Sequence, residues 1–206
     1  MKLWPLLFCG LLMACGTSSG PARDYHPYLQ AKGITTLSPS VIPHCHGYGC
    51  RLKSYASLTK AEETKITRLF KPKMSADKER QAVAAAIGLF ETFLGQKTGT
   101  AADVAGTYVQ LGNDQHDCVD ESVNTTIYLD VMKQKGWLHQ HDISTVSTRI
   151  PLVGGGMGFH QTAVIVERAS GRRYAVDSWF HDNGAKAEIV PLQDWLYGWH
   201  PARPAD

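Results

Sequence analysis

The sequence predicts an α+β domain in which helices come first and an antiparallel sheet follows. Two observations support this fold class. Segments with helix start and stop signals occupy residues 59–136, and strand-like segments separated by turn residues follow from residue 145 onwards. Helices segregated from strands along the chain are typical of α+β folds, whereas parallel α/β folds alternate the two. We expect this domain to span residues 44–206.

Two helices are predicted in the first half of the domain. Thr59 and Glu62 have the spacing of a capping box, whose side chains accept hydrogen bonds from the first free amides of a helix. That helix is predicted to run to about Phe70, where a Lys-Pro-Lys sequence stops it. The second is predicted from about Ala76 to Leu94, with Gly95 as its C-terminal stop. Its middle is apolar on nearly all sides, which indicates burial.

The third predicted helix carries a cysteine in its first turn. Asp117 is a plausible N-cap, Cys118 follows it, and Gly136 ends the helix. The apolar positions of this helix recur every four residues at Val119, Val123 and Ile127. The N-terminal end of a helix carries partial positive charge and free amides, so this position favours a thiolate.

Three strands are predicted after the helices, at residues 145–153, 159–167 and 173–180. The last two flank a turn-forming stretch and form a hairpin. His160 begins one strand of the hairpin and Asp177 lies near the far end of the other. A symmetric turn at Ser170–Gly171 would offset these two residues, so a bulge or an asymmetric loop is expected.

The N-terminus has the features of a targeting segment. Lys2 precedes a short apolar run, which ends in Leu-Met-Ala-Cys at residues 12–15 and resembles the lipobox of bacterial lipoproteins. The resemblance implies a signal peptide over 1–14, lipidation of Cys15, and a location at the outer membrane facing the periplasm. An ordinary secretory signal with an accidental cysteine is the alternative. Residues 15–43 are rich in Gly, Ser, Pro and Thr and are predicted to be a tether.

Composition and cysteine count narrow the possible partners and chemistry. The formal charge of +2 is close to neutral, so no nucleic-acid partner is expected. Beyond Cys9 in the signal and the lipidated cysteine, three cysteines remain in an oxidising compartment. Cys45 and Cys50 are close enough in sequence to form a disulfide, which leaves Cys118 unpaired.

Cys118, His160 and Asp177 together predict a thiol-catalytic site. A nucleophilic thiol needs a lowered pKa, a base and a group that orients the base. We expect a thiolate with a pKa well below the ordinary value of about 8.5, with His160 as the base and Asp177 as the orienting carboxylate. Gln115 could donate to an oxyanion from the loop before the helix, and Asn113 is an equal alternative.

The local sequences around these residues suggest a family. Asp-Cys-Val-Asp at 117–120, His-Gln-Thr-Ala-Val at 160–164 and Tyr-Ala-Val-Asp at 174–177 resemble the bacterial transglutaminase-like cysteine proteinases of the papain-like superfamily. The resemblance implies a cysteine helix packed on an antiparallel sheet that carries the histidine and aspartate. It implies acyl transfer through a thioester, with a protein or peptide substrate and with water or an amine as acceptor.

The same resemblance implies a possible calcium site and no required cofactor. Asp117 and Asp120 match positions at which periplasmic members of the family bind calcium, but Val119 departs from the acidic residue often found between them. Both carboxylates also suit a helix N-terminus without any ion, because they complement the helix dipole.

Two alternatives to an enzyme remain open. One is a metal-binding lipoprotein with zinc or copper at a cysteine- and histidine-rich loop. Its candidate ligands are His44, Cys45, His46 and Cys50, with contributions from His116, His139 and His141. The other is a non-catalytic member of the family that only binds peptides or glycans.

Trp179 could shield the His–Asp pair or belong to the core, while Trp195 and Trp199 are interpreted as core or edge packing.

Overall fold

The computed structural model describes residues 19–108, 112–150 and 159–202. Its elements are, in chain order, α1 (His26–Ala31), β1 (Ile42–His46), β2 (Leu52–Ala56), α2 (Lys60–Thr67), α3 (Ala76–Thr98), α4 (Cys118–Gln134), β3 (His141–Arg149), β4 (His160–Glu167), β5 (Arg173–Asp177), β6 (Glu188–Pro191) and α5 (Leu192–Leu196).

The described residues form a mixed α+β structure with two antiparallel sheets. β1 and β2 pair in a small sheet, and the main sheet has the strand order β3-β4-β5-β6. Every strand of the main sheet pairs with its sequence neighbour, so short connections suffice to build it. The α+β fold class predicted from the sequence is confirmed at this level.

Helix α4 runs through the centre of the structure. Nearly all of its residues are buried, and it packs against β4 on one side and β1 on the other. Its apolar side chains, among them Ile127 and Leu129, join those of α3 in the main core. Enclosure on all sides explains why polar residues of this helix, such as Asn124, are buried and bonded to backbone groups of β1.

The helices begin where the sequence predicts, but α2 and α3 end at other residues, α2 at Thr67 rather than about Phe70. The Thr59–Glu62 capping box begins α2, and Ser75 caps α3. Gly95 is not the end of α3, because the helix continues to Thr98 and ends at Gly99, whose φ of 83° is left-handed. Gly95 is buried in the helix, and its missing Cβ leaves room for the side chain of Asn183. The prediction of a stop at Gly95 is wrong, because a glycine signals either a cap or a close approach.

The strands of the main sheet begin and end at different residues from those predicted. β3 begins at His141 rather than residue 145, and its pairing with β4 is irregular between Ser144 and Ser147. β5 ends at Asp177, and the three residues that follow leave the sheet. The part of the first predicted strand beyond residue 150, with the glycine-rich stretch after it, lies outside the described residues.

Residues 19–43 pack onto the domain, so the predicted tether is wrong for this part of the chain. Tyr25, Leu29 and Ile34 are at most 5 % exposed and belong to the main core. The backbone near Arg23 bonds to β3 through Ser144 and Thr145. A few large apolar residues among many small and polar ones are enough to fix this segment, which composition alone does not reveal.

The chain joins the domain immediately after the predicted lipidation site. Ser19 bridges to Arg172, and the Gly20 amide donates to the carbonyl of Gly171. The predicted signal peptide and Cys15 lie outside the described residues. Within the described residues, none of the helices has the length and apolar character needed to cross a membrane.

Candidate active site

Cys118 lies in the first turn of α4, where the sequence places it. The Asp117 carboxylate caps the helix by accepting from the amides of Val119 and Asp120, and the Asp120 carboxylate accepts from the amide of Asp117. This reciprocal capping box fixes the helix start at the residue before the cysteine. The Cys118 side chain therefore has a defined direction relative to the sheet.

The Cys118 thiol is directed at the first residues of β4. It is free, only 3 % exposed, and its Sγ lies 4.0 Å from the carbonyl oxygen of Phe159. The backbone N–H of Gln161 also faces the sulfur, as does the N–H of Cys118 itself. Phe159 and Gln161 are the two neighbours of His160 in the chain, so α4 brings the thiol to the position where this histidine begins β4.

His160 and Asp177 form a buried pair. Their side chains are at most 1 % exposed, and His160 Nε2 lies 2.7 Å from Asp177 Oδ2. A carboxylate at this distance accepts from Nε2–H, which leaves Nδ1 as the basic nitrogen. Among the described residues Nδ1 has no hydrogen-bond partner, although it is buried. The ring therefore has an oriented edge and a free edge, as a general base requires.

The hairpin register accounts for this pairing without a bulge. β4 and β5 pair continuously from Ala163–Val176 to Val166–Arg173, so the turn is centred one residue before the expected Ser170–Gly171. Asp177 then stands two residues from the position directly across from His160. Residues two apart on a strand share one face, and long side chains reach such diagonal neighbours. Of the two expected alternatives, a bulge is absent from the β4–β5 pairing, and the shifted position of the turn brings the two residues together instead. The irregularity of the sheet lies between β3 and β4.

Aromatic rings surround the pair on several sides. The ring centres of Trp179, Phe180 and Trp195 lie 4.6, 5.3 and 5.4 Å from that of His160. Trp179 therefore covers the histidine, one of the two roles considered for it from the sequence. Such a wall keeps water from competing for the His–Asp hydrogen bond and strengthens it electrostatically.

Sequence reasoning missed the role of Trp195. Its indole Nε1–H donates to Asp177 Oδ2 at 2.7 Å, so one carboxylate oxygen accepts from both the indole and the imidazole. Arg149 holds this tryptophan by stacking over the ring and by donating to the carbonyl oxygen of Trp195 at 2.6 Å. Only the tertiary structure brings α5 beside β5, so no local signal in the sequence identifies this contact.

The thiol does not have the lowered pKa expected from its position at a helix start. Burial raises the pKa of Cys118 to about 12; the backbone amides of Gln161 and Cys118 oppose this shift, and the Asp117 and Asp177 carboxylates add to it. Desolvation disfavours the charged thiolate, and at this depth it outweighs the helix dipole. The prediction of a preformed thiolate is wrong, and the thiol is protonated at neutral pH.

Gln115 and Asn113 are engaged away from the thiol. The side chain of Gln115 accepts from the amide of Val104 and donates to the carbonyl of Ala102, so it ties the loop after α3 to the loop before α4. The Asn113 carboxamide oxygen accepts from Arg51. Through these contacts the side chains of both residues connect neighbouring loops. The backbone amides of Cys118 and Gln161 are the donors that face the sulfur.

The carboxylates of Asp117 and Asp120 do not fit the expected calcium site. Asp120 accepts from the amides of Tyr48 and Cys50, and Asp117 accepts from the amide of Gly49, in addition to the capping bonds. Calcium is bound by six to eight oxygen atoms that are free to turn toward it. Backbone amides already occupy these carboxylate oxygens, so they anchor the loop between β1 and β2 to α4.

The histidine- and cysteine-rich loop does not form the alternative metal site. Cys45 and Cys50 are joined in a disulfide, which removes two of the four proposed ligands. His46 contacts the Asn113 carbonyl and the Ser54 hydroxyl instead. Of the further histidines considered, His139 is exposed and His141 contacts Glu79. The remaining two, His44 and His116, contact each other in the interior at 3.1 Å.

Comparison of this chain with protein-family models, with curated proteins and with solved structures finds no match.

Proposed function

We propose that this protein is a periplasm-facing lipoprotein with thiol-dependent acyl-transfer activity, of the cysteine peptidase, amidase or transglutaminase-like type. The observation that carries the proposal is the buried His160–Asp177 pair, in which His160 Nδ1 is left without a hydrogen-bond partner among the described residues. The backbone groups of the residues before and after His160 contact the Cys118 thiol. A papain-like arrangement of helix and sheet is part of the same proposal.

His160 would act as a general base during attack rather than before it, because the thiol is protonated at rest. As Cys118 Sγ forms a bond to the acyl carbon, His160 Nδ1 takes the thiol proton. The resulting imidazolium is stabilised by Asp177 and returns the proton to the leaving amine. Water or a second amine then attacks the thioester, loses its proton to His160, and restores the thiol.

The backbone N–H groups of Cys118 and Gln161 are the proposed oxyanion donors. Both face the sulfur, and they belong to different elements, the start of α4 and the second residue of β4. An oxyanion hole needs two donors that converge on one point next to the nucleophile, and backbone amides need no reorganisation to supply it. This pair replaces Gln115 in the proposal.

A protein or peptide is the proposed substrate class. Phe159 and Tyr108 are 50 and 53 % exposed, and the Tyr108 ring packs on Trp179 with centres 4.5 Å apart. Two exposed apolar rings adjoining the residues around His160 offer a surface for side chains of an extended chain. The acceptor, water or an amine, is set by what reaches the thioester.

Acyl-enzyme formation with p-nitrophenyl acetate tests the proposal. The purified protein is mixed with this activated ester, p-nitrophenolate release is followed by absorbance, and the adduct is located by peptide mass spectrometry. We expect acetylation of Cys118 with a burst of about one equivalent. His160→Ala should slow the reaction by about 100-fold or more, because general-base catalysis contributes 10²–10⁴-fold.

His139→Ala is the matched control, since this histidine is exposed and follows the C-terminal end of α4, whereas Cys118 begins that helix. It should acylate at the wild-type rate. Adducts on other residues, or equal rates in His160→Ala and wild type, would contradict the proposed site.

A second candidate function is supported by the burial of the thiol. A thiol that is 3 % exposed with a pKa of about 12 also suits a structural cysteine in a protein that binds peptides without cleaving them. On this reading Cys118→Ala removes no activity, and p-nitrophenyl acetate leaves the thiol unmodified in a correctly folded protein.

A further inference from the structure

A second cluster of ionisable residues lies inside the protein, close in the chain to the start of α4. His116 Nδ1 is 3.2 Å from Asp103 Oδ2 and 3.1 Å from Glu121 Oε1. The three side chains are 1, 4 and 8 % exposed, and their ligand-type atoms all lie within 4.8 Å of one another. The catalytic proposal uses none of them.

His116 Nδ1 lies close to two carboxylate oxygens without a regular hydrogen bond to either. This buried nitrogen has no hydrogen-bond partner within the described residues, although oxygens of Asp103 and Glu121 are 3.2 and 3.1 Å away. Nitrogen and oxygen atoms at such separations match ligands that share one ion. Bonds of about 2.0–2.1 Å to a common metal place ligand atoms roughly 2.9–3.4 Å apart.

Neighbouring side chains hold the histidine and the carboxylates of this cluster in place, as the residues behind the ligands of a metal site do. His116 Nε2 contacts His44 Nε2 at 3.1 Å, and His44 is held by Tyr128 and Thr100. The Ser178 hydroxyl donates to Glu121 Oε2, and Asp103 Oδ1 accepts from the His116 amide. Histidines that bind metals are fixed in this way through their second nitrogen, and the carboxylates through their second oxygen.

The cluster also has more acidic than basic side chains. Asp103 and Glu121 share one imidazole, that of His116, as their ion-pairing partner among the described residues. Glu91 is a further acidic residue of the interior, 3 % exposed, and its Oε1 has no hydrogen-bond partner among the described residues. Uncompensated charge in a dry interior is costly, and a divalent cation would balance it.

We propose that Asp103, His116 and Glu121 bind a divalent transition-metal ion of the Zn²⁺ class. A mixed set of one imidazole and two carboxylates suits such an ion, whereas Ca²⁺ and Mg²⁺ prefer oxygen ligands alone. The ligands come from the loop after α3, the residue before the Asp117 cap, and the first turns of α4. The ion would fasten these segments together two residues from the thiol, so its role is to hold the site in place.

Metal content and affinity of the full-length protein, purified in detergent, test the proposal. The protein is stripped with EDTA, titrated calorimetrically with ZnSO₄, and titrated with CoCl₂ while the visible spectrum is recorded. We expect one Zn²⁺ per chain, cobalt absorption typical of a mixed nitrogen and oxygen site, and a melting temperature raised by several degrees with Zn²⁺ present. His116→Gln and Glu121→Gln should each weaken Zn²⁺ binding by at least about 10–100-fold.

Three controls make every outcome decisive. His181 and Glu188 form a partly exposed pair at 2.8 Å, and no second carboxylate pairs with this histidine among the described residues, so His181→Gln should bind Zn²⁺ like wild type. Cys118→Ser should also bind normally, which separates this site from the thiol and from the proposed activity. Near-ultraviolet circular dichroism establishes that each variant is folded. Wild-type protein that binds neither Zn²⁺ nor Co²⁺, or folded His116→Gln that binds them equally well, would overturn the proposal.

Discussion

Trp195→Phe is the most informative perturbation of the candidate active site, because it removes one donor and keeps an aromatic ring. The wild-type indole N–H donates to Asp177 Oδ2 at 2.7 Å, and Trp195 is 0 % exposed. A buried hydrogen bond to a charged group contributes about 1.5–3 kcal/mol. The space left by the smaller ring costs about 1 kcal/mol more. We therefore expect the free energy of unfolding to fall by about 2.5–4 kcal/mol.

The same substitution should slow acylation of Cys118. Asp177 would lose the donor that fixes the oxygen shared with His160, so the imidazole would be less well oriented toward the thiol. If the lost hydrogen bond also raises the activation free energy of acylation by about 2 kcal/mol, the acylation rate falls by about 30-fold. Urea unfolding followed by circular dichroism measures the first effect, and p-nitrophenolate release at 25 °C measures the second.

Trp199→Phe provides the matched control. Trp199 is only partly buried and touches Phe180 rather than Asp177, with ring centres 5.9 Å apart. This change should cost under about 1 kcal/mol and leave acylation within a factor of about two. The reasoning is refuted if the two variants lose stability equally, or if Trp195→Phe acylates as fast as wild type.

Three further predictions concern the rest of the molecule. Glu79 accepts from the amides of His139, Gln140 and His141 and from the His141 ring; burial opposes its ionisation, but these donors outweigh burial and lower its pKa below 4.5. A carboxylate whose pKa is lower in the folded than in the unfolded protein stabilises the fold at pH values above the unfolded-state pKa. Glu79→Gln should therefore lower the free energy of unfolding by about 2 kcal/mol at pH 7. In urea melts, this difference from wild type should shrink as the pH falls through and below 4.5. A Cβ at Gly88 would lie 2.5 Å from the Ala185 carbonyl oxygen, so Gly88→Ala should lower stability by about 2–3 kcal/mol in thermal melts. A Cβ at Gly95 would meet the adjustable Asn183 side chain at 3.2 Å and the Ala101 Cα at 3.3 Å, distances that shifts of a few tenths of an ångström relieve, so Gly95→Ala should stay within about 1 kcal/mol of wild type. Equal losses in the two glycine variants would contradict the close approach of α3 to the loop at residues 184–185. Cys15→Ser should move the protein from the membrane fraction to the soluble fraction on immunoblots, and because four residues span at most about 14 Å between Cys15 and the packed Ser19, the lipidated domain should lie close to the membrane surface.

Local signals in the sequence were sufficient for the elements that begin with side-chain caps. Thr59 and Asp117 act within three residues of themselves, so their capping boxes could be recognised without knowledge of the fold. The His160 and Asp177 hairpin was recognised for a similar reason, since a turn and two flanking strands are close in sequence. The lipobox and the transglutaminase-like motifs are also local patterns, and the activity that they suggest stays a prediction.

Features that depend on distant contacts could not be predicted. The carboxylates of Asp117 and Asp120 look like calcium ligands in sequence, but the amides of a loop about 70 residues earlier occupy them. Gly95 resembled a helix end because the approach of Asn183 is invisible locally. Residues 19–43 have the composition of a tether because only four of them, Tyr25, Leu29, Ile34 and Ile42, are buried apolar residues of the main core.

Local sequence is sufficient to predict where α4 begins, that Cys118 lies in its first turn, and that His160 and Asp177 share a hairpin, because each depends on interactions between residues close along the chain. The electrostatics of the site depends instead on contacts between distant elements. Burial sets the pKa of Cys118 at about 12 against the helix dipole, and the arrival of α5 places Trp195 on Asp177. The tertiary structure also gathers Asp103, His116 and Glu121 into one buried cluster. Desolvation of a side chain and the approach of residues distant in the chain depend on the whole fold, since every element that excludes water from an ionisable group changes the free energy of its charged form.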